Sequence, residues 1–251
     1  MIGHIAAREL RGLFLSPLAW TLLAVVQALL AYLFLSQVEA YMAVQSRLAL
    51  MDSPPGVTDL IAAPLFASAA FILMLVVPLL TMRLVSEERR SRTLPLLLSA
   101  PISMTEIILG KYLALLGFLG IMLALVALMP LSLLVGGSLD PGLLASGLLG
   151  LLLMLGAFAA AGLFISTLTA QPTVAAVATF GLLLLLWVID WTGAQAEGAR
   201  SALLGYLSMQ HHYQALLKGV FDTTDVVYFL LFILTFLVFS IRRLDAERLR
   251  G

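Results

Sequence analysis

An all-α integral membrane protein is the fold class that this sequence predicts, and three observations predict it. The chain is 62% hydrophobic and only 11% charged, where a soluble domain carries roughly 25% charged residues. Its mean hydropathy is +1.08. Six stretches free of charge, apart from Asp190 at one end, are each long enough, or nearly so, to cross a bilayer core. Such a core needs about 20 helical residues. The charges that remain gather in a few short places, chiefly residues 83–111.

Taken in order, residues 1–14 have the pattern of a short amphipathic helix. Ile2, Ile5, Ala6, Leu10, Leu13 and Phe14 share one side, and His4, Arg8 and Arg11 the other. Such a helix is suited to lie in the headgroup layer. A signal-peptide core is typically about 7–15 residues, whereas residues 13–38 carry no charge at all. A retained first transmembrane helix is therefore expected. The spans predicted are 18–38, 61–82, 112–135, 143–168, 174–191 and 226–241. Pro78 and Pro130 fall inside spans, where neighbouring helices can satisfy the freed carbonyls. The fourth span sets small residues four apart, at Ser146/Gly150, Gly156/Ala160 and Gly162/Ser166. That spacing lets helix backbones approach closely, against a neighbour in the same chain or in a second copy.

The basic residues predict orientation. With both termini inside, every Lys and Arg except Arg47, Arg200 and Lys218 lies on the cytoplasmic face, as positive-inside asymmetry requires. The turn at 169–172 is too small to hold a large partner, so 83–111 is the one sizeable inner loop. On the outer side, 39–60 has an amphipathic first half before Ser53-Pro54-Pro55-Gly56, and 136–142 is a tight turn. Residues 192–225 are semi-apolar (Leu203, Tyr206, Tyr213, Leu216, Phe221) and are expected to form short helices in the outer membrane boundary. The whole of 1–251 is expected to be one transmembrane domain, with 242–251 a cytoplasmic tail.

The chemistry available to this chain is narrow. Without cysteine, disulfides and thiol catalysis are excluded, and a net charge of zero argues against a nucleic-acid partner. Gly110-Lys111 is not a phosphate loop, because Thr105 stands where a glycine is needed and Tyr112 where Ser or Thr is needed. Lys111 is expected to snorkel to the interface. His211-His212 is the only histidine pair, and adjacent positions diverge on a helix, so interfacial histidines are expected rather than a metal site. Neither HExxH nor Gly-x-Ser-x-Gly occurs. Asp190 lies with Trp187 and Trp191 where a helix meets the outer interface. No charge lies at mid-membrane, whereas proton relays and ion-coupled transport use buried ionisable groups. Energy for any transport must then come from outside this chain, and the loop 83–111 is the surface able to receive it. Within that loop Thr93 can cap a short helix from Leu94, with Pro95 in its first turn.

That loop, Glu88-Arg89-Arg90-Ser91-Arg92-Thr93-Leu94-Pro95-Leu96-Leu97-Leu98-Ser99-Ala100-Pro101, resembles the pattern E-R-x-x-G-T-L-E-x-L-L-x-x-P of ABC-2-type permeases. Glu106 to Tyr112 follow it. Arg8-Glu9-Leu10 with Phe14 and Ser16-Pro17 is similar to the N-terminus of the gliding-motility (GldF-like) branch. So is the stretch from His211, His212, Lys218, Gly219 and Asp222 to Asp225 and Tyr228. Two departures stand out. Arg92 replaces the pattern's Gly, which is expected to exclude an easy left-handed turn, and Pro95 replaces its Glu.

The resemblance implies a six-helix permease of the type V exporter-like architecture, multi-pass in the cytoplasmic (inner) membrane of a bacterium. It implies no catalytic, cofactor or metal site in this chain, ATP and Mg being bound by separate cytoplasmic ATPase subunits. Further partners implied are a second permease copy or paralogue, membrane lipid, and an auxiliary protein with an extracytoplasmic domain. The ATPase-coupling residues would be Glu87, Glu88, Arg89, Arg90, Arg92, Thr93, Leu94, Leu97 and Pro101, with Arg8 and Glu9 of the N-terminal helix beside them. The function expected is coupling of ATP hydrolysis to export or extraction of a substrate. The alternative is a non-transporting anchor that passes ATPase motion to an extracytoplasmic partner.

Overall fold

The computed structural model describes residues 1–48, 56–93, 102–135, 139–195 and 208–249, and among them the chain is helical without strands. Helix α1 (Ile2–Leu15) ends at Ser16, whose extended backbone turns the chain. Pro17 then opens α2 (Pro17–Leu48), in the first helical position where its missing N–H costs nothing. The Trp20 indole N–H donates to the Phe14 carbonyl at 2.7 Å and closes this elbow. Helix α2 runs ten residues beyond its expected end at Val38. Residues 39–48 contain neither Gly nor Pro, so nothing local stops it.

A π-helical turn, Thr58–Ala62, leads into α3 (Ala63–Thr81). The short α4 (Ser86–Arg90) follows. Helix α5 (Met104–Leu131) begins with a full capping box, in which Ser103 and Glu106 each accept from the other's backbone N–H. Asp140 caps α6 (Pro141–Leu168) by accepting from Gly142 and Leu143. Then come α7 (Pro172–Gln195), α8 (Met209–Leu217) and α9 (Thr223–Arg248). Among the described residues six helices are long and apolar enough to cross a membrane: α2, α3, α5, α6, α7 and α9. Each contains one of the expected spans or nearly all of it. Helix α9 continues through 242–248, so most of the expected tail is helical.

Helix α6 is the central rod. Of its most apolar stretch 67% is buried, against 22% for α2, α7 and α9. Its small residues explain why. A Cβ on Gly150 would stand 2.9 Å from Leu216, one on Gly156 3.1 Å from the Tyr112 hydroxyl, and one on Gly162 2.8 Å from Thr81 Cβ. The neighbours along this seam therefore belong to the same chain. Polar side chains tie the rods together at depth. Tyr112 donates to the Gly156 carbonyl at 3.1 Å, and the Gln27 amide donates from α2 to the Met122 carbonyl of α5 at 3.0 Å.

Helix α8 is one short helix within 192–225 and packs among α3, α6, α7 and α9, with Met209, Tyr213, Leu216 and Leu217 buried. Its apolar face finds a denser partner in α6 than in lipid. The Tyr213 hydroxyl donates to the Phe66 carbonyl at 2.9 Å, and Ser146 donates to that of Leu216 at 2.8 Å. Residues 196–207 and the side chain of Asp190 lie outside the described residues.

Because the α6 seam has no room, Gly162→Val is expected to lower stability by about 1–3 kcal/mol through overpacking. Gly181→Ala, whose new methyl would meet nothing within 4 Å, should leave stability unchanged or raise it by about 0.5–1 kcal/mol. Thermal unfolding of both variants in detergent checks the contrast.

Candidate functional site: a charged lock where α4 meets the bundle

The charged residues of 83–111 do not form a free loop. At its start Ser166, on the last turn of α6, accepts from the backbone N–H groups of Val85 and Ser86, both at 3.1 Å, and donates to the Met82 carbonyl at 3.3 Å. Those donors would otherwise be orphans at the N-terminus of α4. The Ser86 hydroxyl also bonds to the Met82 carbonyl. One serine thereby fixes the angle at which α4 leaves α3.

Helix α4 then divides its charges by direction. Glu88 and Arg89 turn inward, while Glu87 and Arg90 are exposed. The Lys111 ammonium, on the second turn of α5 and only 1% exposed, lies 2.7 Å from Glu88 Oε1 and 3.3 Å from Glu9 Oε1. Glu9 also receives Arg8 at 3.0 Å. One buried cation thus joins α1, α4 and α5. Lys111 does not snorkel to solvent, because two carboxylates reach it where it stands, and a buried charge persists only when paired. On the other side of α4, Arg89 donates through Nη2 to the Thr167 carbonyl at 2.7 Å and to Glu247 Oε2 at 2.8 Å. Arg243 holds the second Glu247 oxygen at 3.4 Å. This ties α4 to the end of α6 and to the extension of α9. Arg248 reaches across to the Ile102 carbonyl at 3.3 Å.

Helix α1 reaches this lock by close packing. A Cβ on Gly110 would lie 2.6 Å from the Ile5 side chain, and Leu10 covers Gly117. Phe14 packs on Phe118 with ring centroids 5.4 Å apart. The apolar face of α1 is therefore spent largely on α5, and its basic face, His4, Arg8 and Arg11, remains exposed.

The exit from α4 corrects an expectation. Arg92 does adopt the left-handed conformation, with φ 58°. Thr93 N–H bonds back to the Glu88 carbonyl at 2.9 Å and Arg92 N–H to that of Arg89 at 3.3 Å. These are the two bonds of a Schellman C-cap. The carbonyls they satisfy outweigh the cost of an L-residue in that region. The Thr93 hydroxyl bonds Ser91 at 2.9 Å and the Glu88 carbonyl at 3.2 Å. Leu94, Leu97 and Pro101 lie outside the described residues.

At the opposite end a second polar cluster fastens α8. His212 Nδ1 and Asp225 Oδ1 lie 2.6 Å apart, both groups buried, and the imidazole stacks on Tyr228 with centroids 4.2 Å apart. His211 is exposed, its ring edge-on to that of His212 with centroids 5.9 Å apart. Among the described residues no group of three or more His, Asp or Glu converges as a metal site. Gly219, at φ 74°, ends α8 in a Schellman cap of its own. Lys218 and Asp222 are exposed. The Thr224 backbone N–H, bonded at 2.9 Å, followed by its hydroxyl, holds the Asp222 carboxyl below its ordinary range. This cap on α9 is present at neutral pH and is lost only as pH falls below that range.

Sequence reasoning picked out Glu88, Arg89, Glu9, His212 and Asp225 but missed the partners that give them roles: Lys111, Ser166, Thr167, Glu247 and Tyr228. For Lys111 one signal existed. A lone cation within Ile107-Ile108-Leu109-Gly110-Lys111-Tyr112-Leu113 must find a carboxylate if the helix is buried there.

Six helices suited to cross a membrane, with a charged lock joining α1, α4, α5, α6 and α9, define an integral membrane protein. The chain matches the family described as "ABC-2 family transporter protein" over residues 5–249, and it belongs to that family. It is a multi-pass protein of the cytoplasmic membrane and the permease subunit of an ABC transporter, the kind of subunit that pairs with an ABC ATPase. Comparison with curated proteins gave no match.

Three substitutions test the lock and the cap that follows it. Lys111→Met should cost about 3 kcal/mol, the low end for breaking a buried pair, since Glu9 and Glu88 keep some contact with water. In a double-mutant cycle with Glu88→Gln, measured by thermal unfolding, the two losses should fail to add. Arg92→Gly should raise stability by about 0.5–1 kcal/mol, the left-handed penalty less the entropy of glycine. Denaturant titration of the purified protein reads that gain.

Proposed function

We propose that the chain converts ATP hydrolysis in a separate cytoplasmic ATPase subunit into export or extraction of a substrate, with α4 and the residues after it as the coupling element. The observation that supports this reading most directly is the division of charge on α4. Its inward pair, Glu88 and Arg89, is bonded to α5, α6 and α9, and Lys111 carries the contact on to Glu9 of α1, so a displacement of α4 is passed to four helices. Its outward residues, Glu87, Arg90, Arg92 and Thr93, are exposed and are the contact surface on this reading, continued by Leu94, Leu97 and Pro101. Of the N-terminal pair, Arg8 is exposed while Glu9 is turned to Lys111, so Arg8 contributes to contact and Glu9 to transmission.

Both termini and the lock are cytoplasmic on this reading, in accord with the arginine-rich composition of that end. The chain acts as one transmembrane domain, 1–251, and ATP and Mg are held by the partner. Helices α2, α7 and α9, the least covered of the six, have room for a second permease copy or paralogue and for lipid. We place the chain in the gliding-motility (GldF-like) branch on its motifs, within a bacterial inner membrane.

A non-transporting anchor is the second reading, and one feature favours it. Val220 and Phe221, 58% and 61% exposed, project with Lys218 and Asp222 from the tip that joins α8 to α9, where an extracytoplasmic auxiliary protein would bind.

Because Glu88 and Arg89 are structural, the outward residues are the discriminating probes. Glu87→Lys combined with Arg90→Glu should leave thermal stability within about 0.5 kcal/mol of wild type, as for surface substitutions generally, and abolish co-purification of the ATPase subunit. Retained co-purification would remove α4 as the docking surface. With the complex intact in liposomes, ATPase stimulation by substrate alone supports transport, and stimulation only by an outer protein supports anchoring.

A further inference from the structure

We propose that the elbow between α1 and α2 is a binding site for an anionic phospholipid, with the headgroup phosphate at Arg83 and an acyl chain in the groove below it. The groove encloses about 250 Å³. Its lining is apolar at Leu13, Leu18, Ala19, Leu79, Leu80 and Leu84, of which Ala19, Leu80 and Leu84 are buried and form the floor, and polar at Glu9, Ser16 and Arg83, with Arg83 exposed at the rim. This arrangement matches an amphipath that enters tail-first. Leu18 and Ala19 begin one membrane-crossing helix and Leu79 and Leu80 close another, so the floor faces hydrocarbon and the rim faces the headgroup layer.

Charge selects the headgroup. Glu9 is the one carboxylate at the rim, and it is held by Lys111 and Arg8. Arg83 is exposed and has no ion-pair partner among the described residues. A second shallow groove, lined by His4, Ala7, Arg8, Arg11, Gly12 and Leu15, adjoins the first at Gly12. Arg11 there likewise lacks an ion-pair partner among the described residues. The surroundings are thus net cationic once Glu9 is accounted for. A guanidinium offers paired donors to phosphate oxygens, and a phosphodiester with a neutral polar head, as in phosphatidylglycerol, leaves its negative charge for Arg83 and Arg11. A zwitterionic lipid would instead set its ammonium against them. The chain turns between the two helices at Ser16, and a side chain at Gly12 would meet nothing within 4 Å. The site does not depend on coupling to an ATPase. It depends only on this end of the bundle standing at a membrane surface.

Native mass spectrometry tests the site on the full chain purified from nanodiscs of mixed phosphatidylglycerol and phosphatidylcholine. Wild type should retain phosphatidylglycerol in preference to phosphatidylcholine. Arg83→Ala should weaken that retention about fivefold, the worth of one basic residue at a membrane surface. Gly12→Trp, which sets a bulky ring in the groove lining, should abolish it while thermal stability stays unchanged. Equal retention of the two lipids by wild type, or retention unaltered in both variants, would overturn the proposal.

Discussion

One buried ammonium organises the end of this protein that holds α1, α4 and the start of α5. Lys111 sits 1% exposed on a largely apolar helix, and Glu88 and Glu9 converge on it. The two carboxylates come from a short helix after the second span, held also by Ser166 and Arg89, and from the N-terminal helix, packed on α5 through Ile5, Leu10 and Phe14. Removing either would leave the lysine short of a partner. The lock is in this sense self-specifying. A displacement of either helix would strand a charge, so the arrangement resists partial opening and favours motion of the elements together.

The same logic explains why α6 lies at the centre. In lipid, helices gain little from burying apolar surface against each other, and association depends on close packing and on hydrogen bonds. Helix α6 supplies both. Its glycines admit Leu216, Tyr112 and Thr81, and at its ends Ser146 and Ser166 bond the backbone of α8 and of the α3–α4 turn. The two ends of the permease are therefore mechanically continuous through one rod, with the charged lock at one end and the His212–Asp225 pair near the other.

How much of this was legible in the chain varies by residue. The six spans were legible because exclusion of charge from hydrocarbon leaves a mark on every residue of a span. The fastening of α4 was not, because its partners are distant in sequence: Glu9 lies 102 residues from Lys111, and Glu247 lies 158 from Arg89. Arg92 is instructive in a different way. Its identity argues against a left-handed backbone, but the two carbonyls left by α4 require one at that position, and the hydrogen bonds of the turn outweigh the preference of the side chain. Helix α8 likewise carries an amphipathic pattern that suits a lipid boundary as well as a bundle wall, and the glycines of α6 decide between them.

The sequence by itself determined the class of solvent, the number of crossings and the place where polar chemistry is concentrated. These follow from transfer free energies that act on each residue independently of its neighbours in space. Only the tertiary structure decided which charges face inward to hold the helices and which remain outward. It also decided that the small-residue seam is filled within the chain and that the elbow leaves a groove. Those outcomes depend on pairings between residues far apart in the chain, and such pairings exist only once the helices have been brought together.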